Sequence, residues 1–210
     1  NKTKDLKEIS IVLSGHIVRP FSTDLRSFWL GFIELQRKLP NTYRPRFFTH
    51  SWNKGFDSLL ETVYKPEAFI NEDQDNFIVD FVNNVKRSNI FEENLERNKS
   101  PWKNVSLQSV LGNARSRSIA VSLLDSNSVK RTSQVLITRW DLGQTGSKQL
   151  NQLVLDKDLP DQYTYMAYYS EIDEGYADMW IVTPWKDALL FREFDSFVVQ
   201  CLTKNNKYIQ

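Results

Sequence analysis

Short apolar runs alternate with amphipathic stretches along most of the chain. The first run, residues 9–13, is rich in β-branched residues and is followed by Ser14, Gly15 and His16, which indicates a buried strand that ends in a tight turn. Over residues 24–39 the apolar positions recur at helical spacing, and Pro40 ends the predicted helix. The chain is therefore expected to begin with a strand followed by a helix.

The same alternation continues beyond this unit and predicts an α/β fold. Further strands are predicted at residues 46–50, 68–70, 134–138 and 163–169, and at 176–182 after a turn; helices are predicted at residues 56–63, 75–97, 107–124 and 189–202. Strands that alternate with helices favour a largely parallel, doubly wound sheet. We therefore predict one α/β domain over residues 1–210, with a central, mostly parallel sheet flanked by helices. The domain is either a whole protein or the N-terminal module of a longer one.

Composition narrows the class of protein. The chain has 210 residues, a net charge of +1 and no prominent basic face, which argues against nucleic-acid binding. Its single cysteine, Cys201, excludes an internal disulfide and Cys-rich zinc sites, and favours a reducing, cytoplasmic compartment. No apolar stretch approaches the roughly 18 residues of a membrane span. The six Trp residues suit either a ligand-lined cleft or a large aromatic core.

Polar and aromatic groups follow the ends of several predicted strands. In open α/β sheets, ligands bind outside the carboxyl ends of the strands, so these groups are expected to share one ligand-binding edge. Both histidines of the chain are among them. The groups are Gly15-His16, His50-Ser51-Trp52, Glu72-Asp73 and Arg139-Trp140-Asp141.

Motifs for several common chemistries are missing from the sequence. There is no GxGxxG, GxxxxGK[ST], GxSxG or HExxH, so dinucleotide, P-loop, serine-hydrolase and zinc-protease functions lack support. The predicted strand ends carry few cations, and a diphosphate bound there would need a divalent metal to neutralise it. Mg²⁺ and Mn²⁺ prefer oxygen ligands, and Asp141 is the best candidate because it follows a strongly apolar strand. The alternative for Asp141 is a helix or turn cap.

Four motifs occur in order along the chain, namely Ser14-Gly15-His16-Ile17-Val18-Arg19, Phe48-Thr49-His50-Ser51-Trp52, Ile137-Thr138-Arg139-Trp140-Asp141-Leu142 and Ala177-Asp178-Met179-Trp180. Together they resemble the motifs of glycosyltransferases that assemble polysaccharides. Such enzymes occur in lipopolysaccharide and capsule loci and in large algal viruses that glycosylate their own capsids. The resemblance implies a GT-A-like, Rossmann-related fold, Mn²⁺ or Mg²⁺, and transfer of a hexosyl or deoxyhexosyl group from a UDP-sugar to a glycan or glycoprotein acceptor. One departure is that the third motif has Arg139 in place of the first Asp of DxD.

The resemblance also implies roles for individual residues. Gly15 would let the backbone approach the nucleotide, and Arg19 would pair with a phosphate. Trp52 or His50 would contact the base, and Asp73 the ribose or the base. Packing, surface ion pairs and turn caps are the structural alternatives for these positions. The full set expected to bind the nucleotide-sugar is Gly15, His16, Arg19, His50, Trp52, Asp73, Gln108, Arg115 and Arg139, in which Gln108 and Arg115 share a helix face and would reach the sugar or the diphosphate.

Asp178 is the expected catalytic residue. A carboxylate at this position would take the proton from the acceptor hydroxyl in an inverting enzyme, or orient the acceptor in a retaining one. The alternative for Asp178 is a β-turn residue. Two other functions stay open, namely a non-catalytic module that binds a nucleotide or a carbohydrate, and a structural α/β domain of a larger protein.

Overall fold

The computed structural model describes most of the chain in ranges that are separated by gaps. For a few positions at the ends of helices and strands it describes the backbone alone, namely residues 107, 108, 125, 168, 169, 175–179, 202 and 203. The described ranges are residues 6–18, 23–77, 107–125, 132–141, 153, 155, 160, 162–169 and 175–203.

The described residues contain one six-stranded sheet with helices on both faces, which confirms the α/β class. The strands are β1 (Lys7–Ser14), β2 (Tyr43–Ser51), β3 (Ala68–Asn71), β4 (Gln134–Arg139), β5 (Tyr165–Tyr169) and β6 (Gly175–Pro184). The helices are α1 (Arg26–Lys38), α2 (Asp57–Val63), α3 (Gln74–Phe77), α4 (Leu107–Ser122), α5 (Trp185–Ala188) and α6 (Phe194–Thr203), with 3-10 turns at Leu123–Asp125 and Leu189–Glu193.

The strand order is β3-β2-β1-β4-β6-β5. Strands β3, β2, β1 and β4 are parallel, whereas β6 runs antiparallel to both of its neighbours. The sheet is therefore mixed, although four neighbouring strands are parallel as predicted. The antiparallel pairing of β5 with β6 has a simple cause, because only residues 170–174 separate these two strands. A parallel connection needs a dozen or more residues.

Alternating side chains of the strands fill a core on each face of the sheet. In β1, Ile9, Ile11 and Leu13 belong to one buried cluster, which also contains Phe28 of α1. Val12 faces the opposite way, into a second cluster with residues of α4 and β4. This separation follows from the two-residue period of a strand. Burial on both faces explains why β1 reads as an almost continuous apolar run.

Helix α1 packs unusually close to the loop after β4. A Cβ placed on Gly31 would lie 2.8 Å from the backbone oxygen of Trp140, so only glycine allows this approach. The Asp24 carboxylate accepts a hydrogen bond of 2.9 Å from the backbone N–H of Arg26 at the start of the helix. Arg37 and Lys38 occupy its last turn, where cations favour the helix dipole.

Two predicted elements differ from the structure near the C-terminus. The predicted turn before residue 180 is wrong, because β6 already begins at Gly175 and Asp178 lies within the strand. The predicted helix over residues 189–202 is divided into the 3-10 turn at Leu189–Glu193 and helix α6. Of the predicted helix at residues 75–97, only the first turn lies within the described residues, as part of α3.

Candidate functional site

The carboxyl ends of the four parallel strands form one edge of the sheet, called the rim below. Strands β1 and β4 are neighbours, and Ser14 at the end of β1 pairs with Arg139 at the end of β4. The chain order reverses between these strands, since β2 and β3 continue on one side and β6 and β5 on the other. In open α/β sheets, such a switch point is where ligands bind. The predicted strand ends therefore meet at the expected place.

The turn after β1 is fastened to the end of β2 and to α4. Gly15 has a φ of +106°, a conformation that favours glycine. Its N–H donates a hydrogen bond of 2.6 Å to Ser116 Oγ. Its carbonyl accepts one of 3.1 Å from the N–H of Trp52. The side chain of Asn53 also bonds to both backbone groups of Val18, at 3.0 and 3.1 Å. The turn is thus held rigidly at the rim.

His50 lies at the centre of a buried hydrogen-bond chain. Its side chain is fully buried, with Nδ1 2.6 Å from Ser116 Oγ and Nε2 3.0 Å from Glu72 Oε1. Burial lowers the pKa of His50 from 6.5 to about 4, although the hydrogen bond to Glu72 opposes this shift. The ring is therefore neutral at pH 7. Because the carboxylate of Glu72 can only accept, the proton sits on Nε2 and the Ser116 hydroxyl donates to Nδ1.

His16 is the second rim histidine and is half-buried. Its Nε2 lies 3.1 Å from Gln74 Oε1, which as a carbonyl oxygen requires an N–H on Nε2. Burial lowers its pKa, whereas the hydrogen bond to Gln74 and the charge of Asp141 act in the opposite direction. Nδ1 is buried and has no hydrogen-bond partner among the described residues.

The two rim tryptophans are part of the scaffold. Trp52 is only 5% exposed, its indole N–H donates to the Gly112 carbonyl at 3.1 Å, and its ring stacks on Phe77 at 5.3 Å. Trp140 is 1% exposed and donates to the His50 carbonyl at 3.1 Å. Both rings therefore fix the rim loops to the core. The burial of Trp52 and His50 leaves little surface for the predicted contact with a base.

Arg139 and Asp141 form a bidentate ion pair at the end of β4. Arg139 Nε and Nη2 donate to the two carboxylate oxygens at 3.0 and 2.9 Å. The Asp141 side chain is 16% exposed and that of Arg139 is 31% exposed. Within the part of the chain that is described, no three His, Cys, Asp or Glu side chains gather as a metal site. A metal at Asp141 would compete with Arg139 for the carboxylate.

Arg115 and Asp73, which were predicted to contact the ligand, form hydrogen bonds within the protein. Arg115 donates to Asp195 Oδ2 of α6 at 2.9 Å, and Asp195 Oδ1 also accepts from Ser118 at 3.1 Å. Arg115 thereby joins α4 to α6, with its side chain still 45% exposed. Asp73 is exposed and accepts the backbone N–H of Asp75 at 3.0 Å, as a cap of α3 does.

Three predicted site residues are described only in part or not at all. Arg19 lies outside the described residues, and Gln108 and Asp178 are described by their backbone alone. Gln108 belongs to the first turn of α4. Asp178 precedes Trp180, which pairs with Thr138 near the end of β4. The backbone of Asp178 is therefore at the same edge of the sheet as Arg139.

Glu72 and Ser116 were not predicted as site residues, although both contact His50. A weak signal for Ser116 existed, because Gly112, Ser116 and Ala120 recur every fourth position in α4. Residues at this spacing share one helix face, and small ones let a helix approach a sheet closely. Glu72 stood beside Asp73 in the sequence, and nothing in the pattern favoured one acid over the other.

Comparison with protein families, with curated proteins and with solved structures finds no match for this chain. Among the described residues, no helix is long and apolar enough to cross a membrane.

Proposed function

We propose that the chain is a glycosyltransferase that moves a sugar from a UDP-sugar to a hydroxyl of a glycan acceptor. The observation that carries the proposal is the pairing of Ser14 with Arg139 at the switch point of the sheet. This pairing brings the first and third motifs of the resemblance together at the edge where α/β folds bind ligands. The class of ligand rests on the resemblance itself.

The switch point suits the diphosphate of the donor. Arg139 supplies a planar, bidentate cation there, which matches the geometry of phosphate. A single carboxylate is within the range that Mg²⁺ uses together with phosphate oxygens, so Asp141 could hold Mn²⁺ or Mg²⁺. The metal would supply positive charge to the leaving diphosphate. On binding of the donor, the Arg139 guanidinium would then exchange its hydrogen bonds to Asp141 for hydrogen bonds to phosphate.

Asp178 is proposed to act on the acceptor side of the rim. It belongs to β6, the strand next to β4, and its backbone is near the end of β4. A carboxylate there would take the proton from the attacking hydroxyl, or orient that hydroxyl in a retaining enzyme. The two acids thus serve different ligands on neighbouring strands.

The proposal is tested by comparing Asp141→Asn with Asp178→Asn. Asp141→Asn should weaken metal-dependent UDP binding and abolish transfer. Asp178→Asn should leave UDP affinity nearly intact and lower turnover by roughly 10²–10⁴. The assay is release of UDP from UDP-sugars in the presence of simple glycoside acceptors, alongside calorimetric titration of UDP. Unchanged binding and turnover in both variants would refute the proposed roles.

Asp187→Asn is the matched control for both substitutions. Asp187 is exposed and follows the carboxyl end of β6, at the opposite edge of the sheet. The change removes the same charge and should alter neither binding nor turnover. Melting curves of all three variants would show that each one folds.

A second candidate function is a non-catalytic module that binds a nucleotide or a carbohydrate. The bidentate Arg139–Asp141 pair favours it, because an arginine already satisfies the carboxylate that a metal would need. Such a module needs no base, so it would bind UDP equally well with Asp178→Asn and would release no UDP from any UDP-sugar.

A further inference from the structure

The hydrogen-bonded residues Glu72, His50 and Ser116, called the relay below, span the rim from its solvent-exposed surface to its buried turn. The Glu72 side chain is 43% exposed, whereas those of His50 and Ser116 are fully buried. At the inner end, Ser116 Oγ accepts the N–H of Gly15. The relay therefore connects a solvent-accessible carboxylate at the end of β3 with the turn after β1.

The three residues resemble a Ser-His-acid triad in composition but not in accessibility. Ser116 is fully buried within α4, and its oxygen already receives the Gly15 N–H. No substrate could reach such a hydroxyl. The Trp52 ring, whose centroid is 4.6 Å from that of His50, adds to the cover. The group that can meet a ligand is Glu72.

We propose that Glu72 binds the nucleoside half of the donor, and that His50 and Ser116 are the positioning residues that hold its carboxylate. This inference rests on the proposed function. The Nε2–H of His50 holds Glu72 Oε1 at 3.0 Å, which restricts the orientation of a carboxylate that is 43% exposed.

The chemistry of Glu72 decides which part of the ligand it meets. A carboxylate only accepts hydrogen bonds and repels a diphosphate, so its partner must carry donors. Ribose hydroxyls and the ring N–H of a uracil base are the donors of a uridine nucleotide. Strand spacings of roughly 4.8 Å put the end of β3 about 10 Å from that of β1, on the side away from Asp141. A diphosphate bound between β1 and β4 would therefore leave Glu72 on the side where the nucleoside could extend.

The binding test compares UDP with two analogues that each lack one kind of donor. 2′,3′-Dideoxyuridine diphosphate lacks the ribose hydroxyls, and N3-methyluridine diphosphate lacks the base N–H. Wild type should bind one analogue about tenfold or more weakly than UDP, since a hydrogen bond to a charged group is lost. In Glu72→Ala this discrimination should disappear, because the acceptor is gone. The analogue that loses affinity identifies the donor.

Glu61→Gln is the control, because Glu61 is an exposed acid of α2 with no place in the relay. Its discrimination should equal that of wild type. Discrimination that persists in Glu72→Ala, or that wild type never shows, would overturn the role of Glu72. Failure of wild type to bind UDP at all would instead refute the proposed function, and with it the identity of the ligand.

The positioning role is tested separately, by NMR without ligand and then by binding. Imidazole ¹⁵N shifts of wild type at pH 7 should show His50 neutral with its proton on Nε2. Ser116→Ala should disturb this signature and reduce the discrimination between UDP and the sensitive analogue. A charged ring or a proton on Nδ1 in wild type would overturn the relay, as would a Ser116→Ala variant with unchanged shifts and discrimination.

Discussion

Acidification is expected to destabilise the fold through His50. Burial lowers the pKa of His50 from 6.5 to about 4. At a pH between these two values, the His50 ring is protonated in the unfolded chain but neutral in the native protein. The free energy of unfolding therefore falls as the pH falls. The stabilisation is complete above pH 6.5 and lost as the pH drops through about 4.

The magnitude follows from the size of the shift. A difference of about 2.5 pKa units, at 1.36 kcal/mol per unit, corresponds to about 3 kcal/mol. The groups that act on the ring are Glu72, which favours the charged form, and Arg115 and His16, which disfavour it. His16 has a lowered pKa as well and adds to the same trend.

Urea unfolding of wild type and His50→Gln over a pH series isolates the contribution of His50. Glutamine keeps a donor and an acceptor but does not titrate, and carboxyl groups that titrate in both proteins cancel in the difference. The stability advantage of wild type over the variant should shrink by about 3 kcal/mol between about pH 7 and pH 4. The chain has two histidines, so an NMR titration can follow His50 directly. An advantage that stays constant over this range would refute the reasoning.

Two further predictions concern glycines. Gly15→Ala and Gly55→Ala should each lower the free energy of unfolding by about 1–2 kcal/mol, since φ values of +106° and +94° strain an L-residue. Only Gly15→Ala should also weaken UDP binding. Equal UDP affinity in both variants would contradict a ligand site at Gly15. Gly31→Ala should lower the melting temperature, because its Cβ would lie 2.8 Å from the Trp140 backbone oxygen. Overpacking of this kind lowers the free energy of unfolding by about 1–3 kcal/mol, which outweighs the gain of about 1 kcal/mol from the higher helix propensity of alanine. A stabilised variant would show instead that α1 can shift away from Trp140 without cost.

The parallel half of the fold was predictable because local pattern and burial agree there. The four parallel strands are short apolar runs bounded by turn residues, and their order along the chain was visible in the sequence. The antiparallel direction of β6 was not predicted, although the short connection at residues 170–174 requires β5 and β6 to run in opposite directions. The predicted turn at Asp178 was wrong because β-prone aromatic residues around it extend the strand.

The site was predictable only as an edge of the sheet. Gly15, His16 and the Arg139–Asp141 pair do lie at the ends of β1 and β4. The relay could not be predicted, because Ser116 is 66 residues from His50 and meets it only through the packing of α4 on the sheet. Trp52 is likewise bonded to α4, whereas Trp140 is buried on the other face of the sheet, against Phe28 of α1.

Calorimetric titration of UDP, with Mn²⁺ and then with a chelator, tests the central claim most directly. Wild type should bind UDP in the presence of Mn²⁺, the chelator should weaken this binding, and Asp141→Asn should weaken it in the same way. Equal affinity with and without Mn²⁺ would show that UDP binding needs no metal, and would leave Arg139 as the group that binds the diphosphate. No binding of UDP to wild type in either condition would contradict the proposed function.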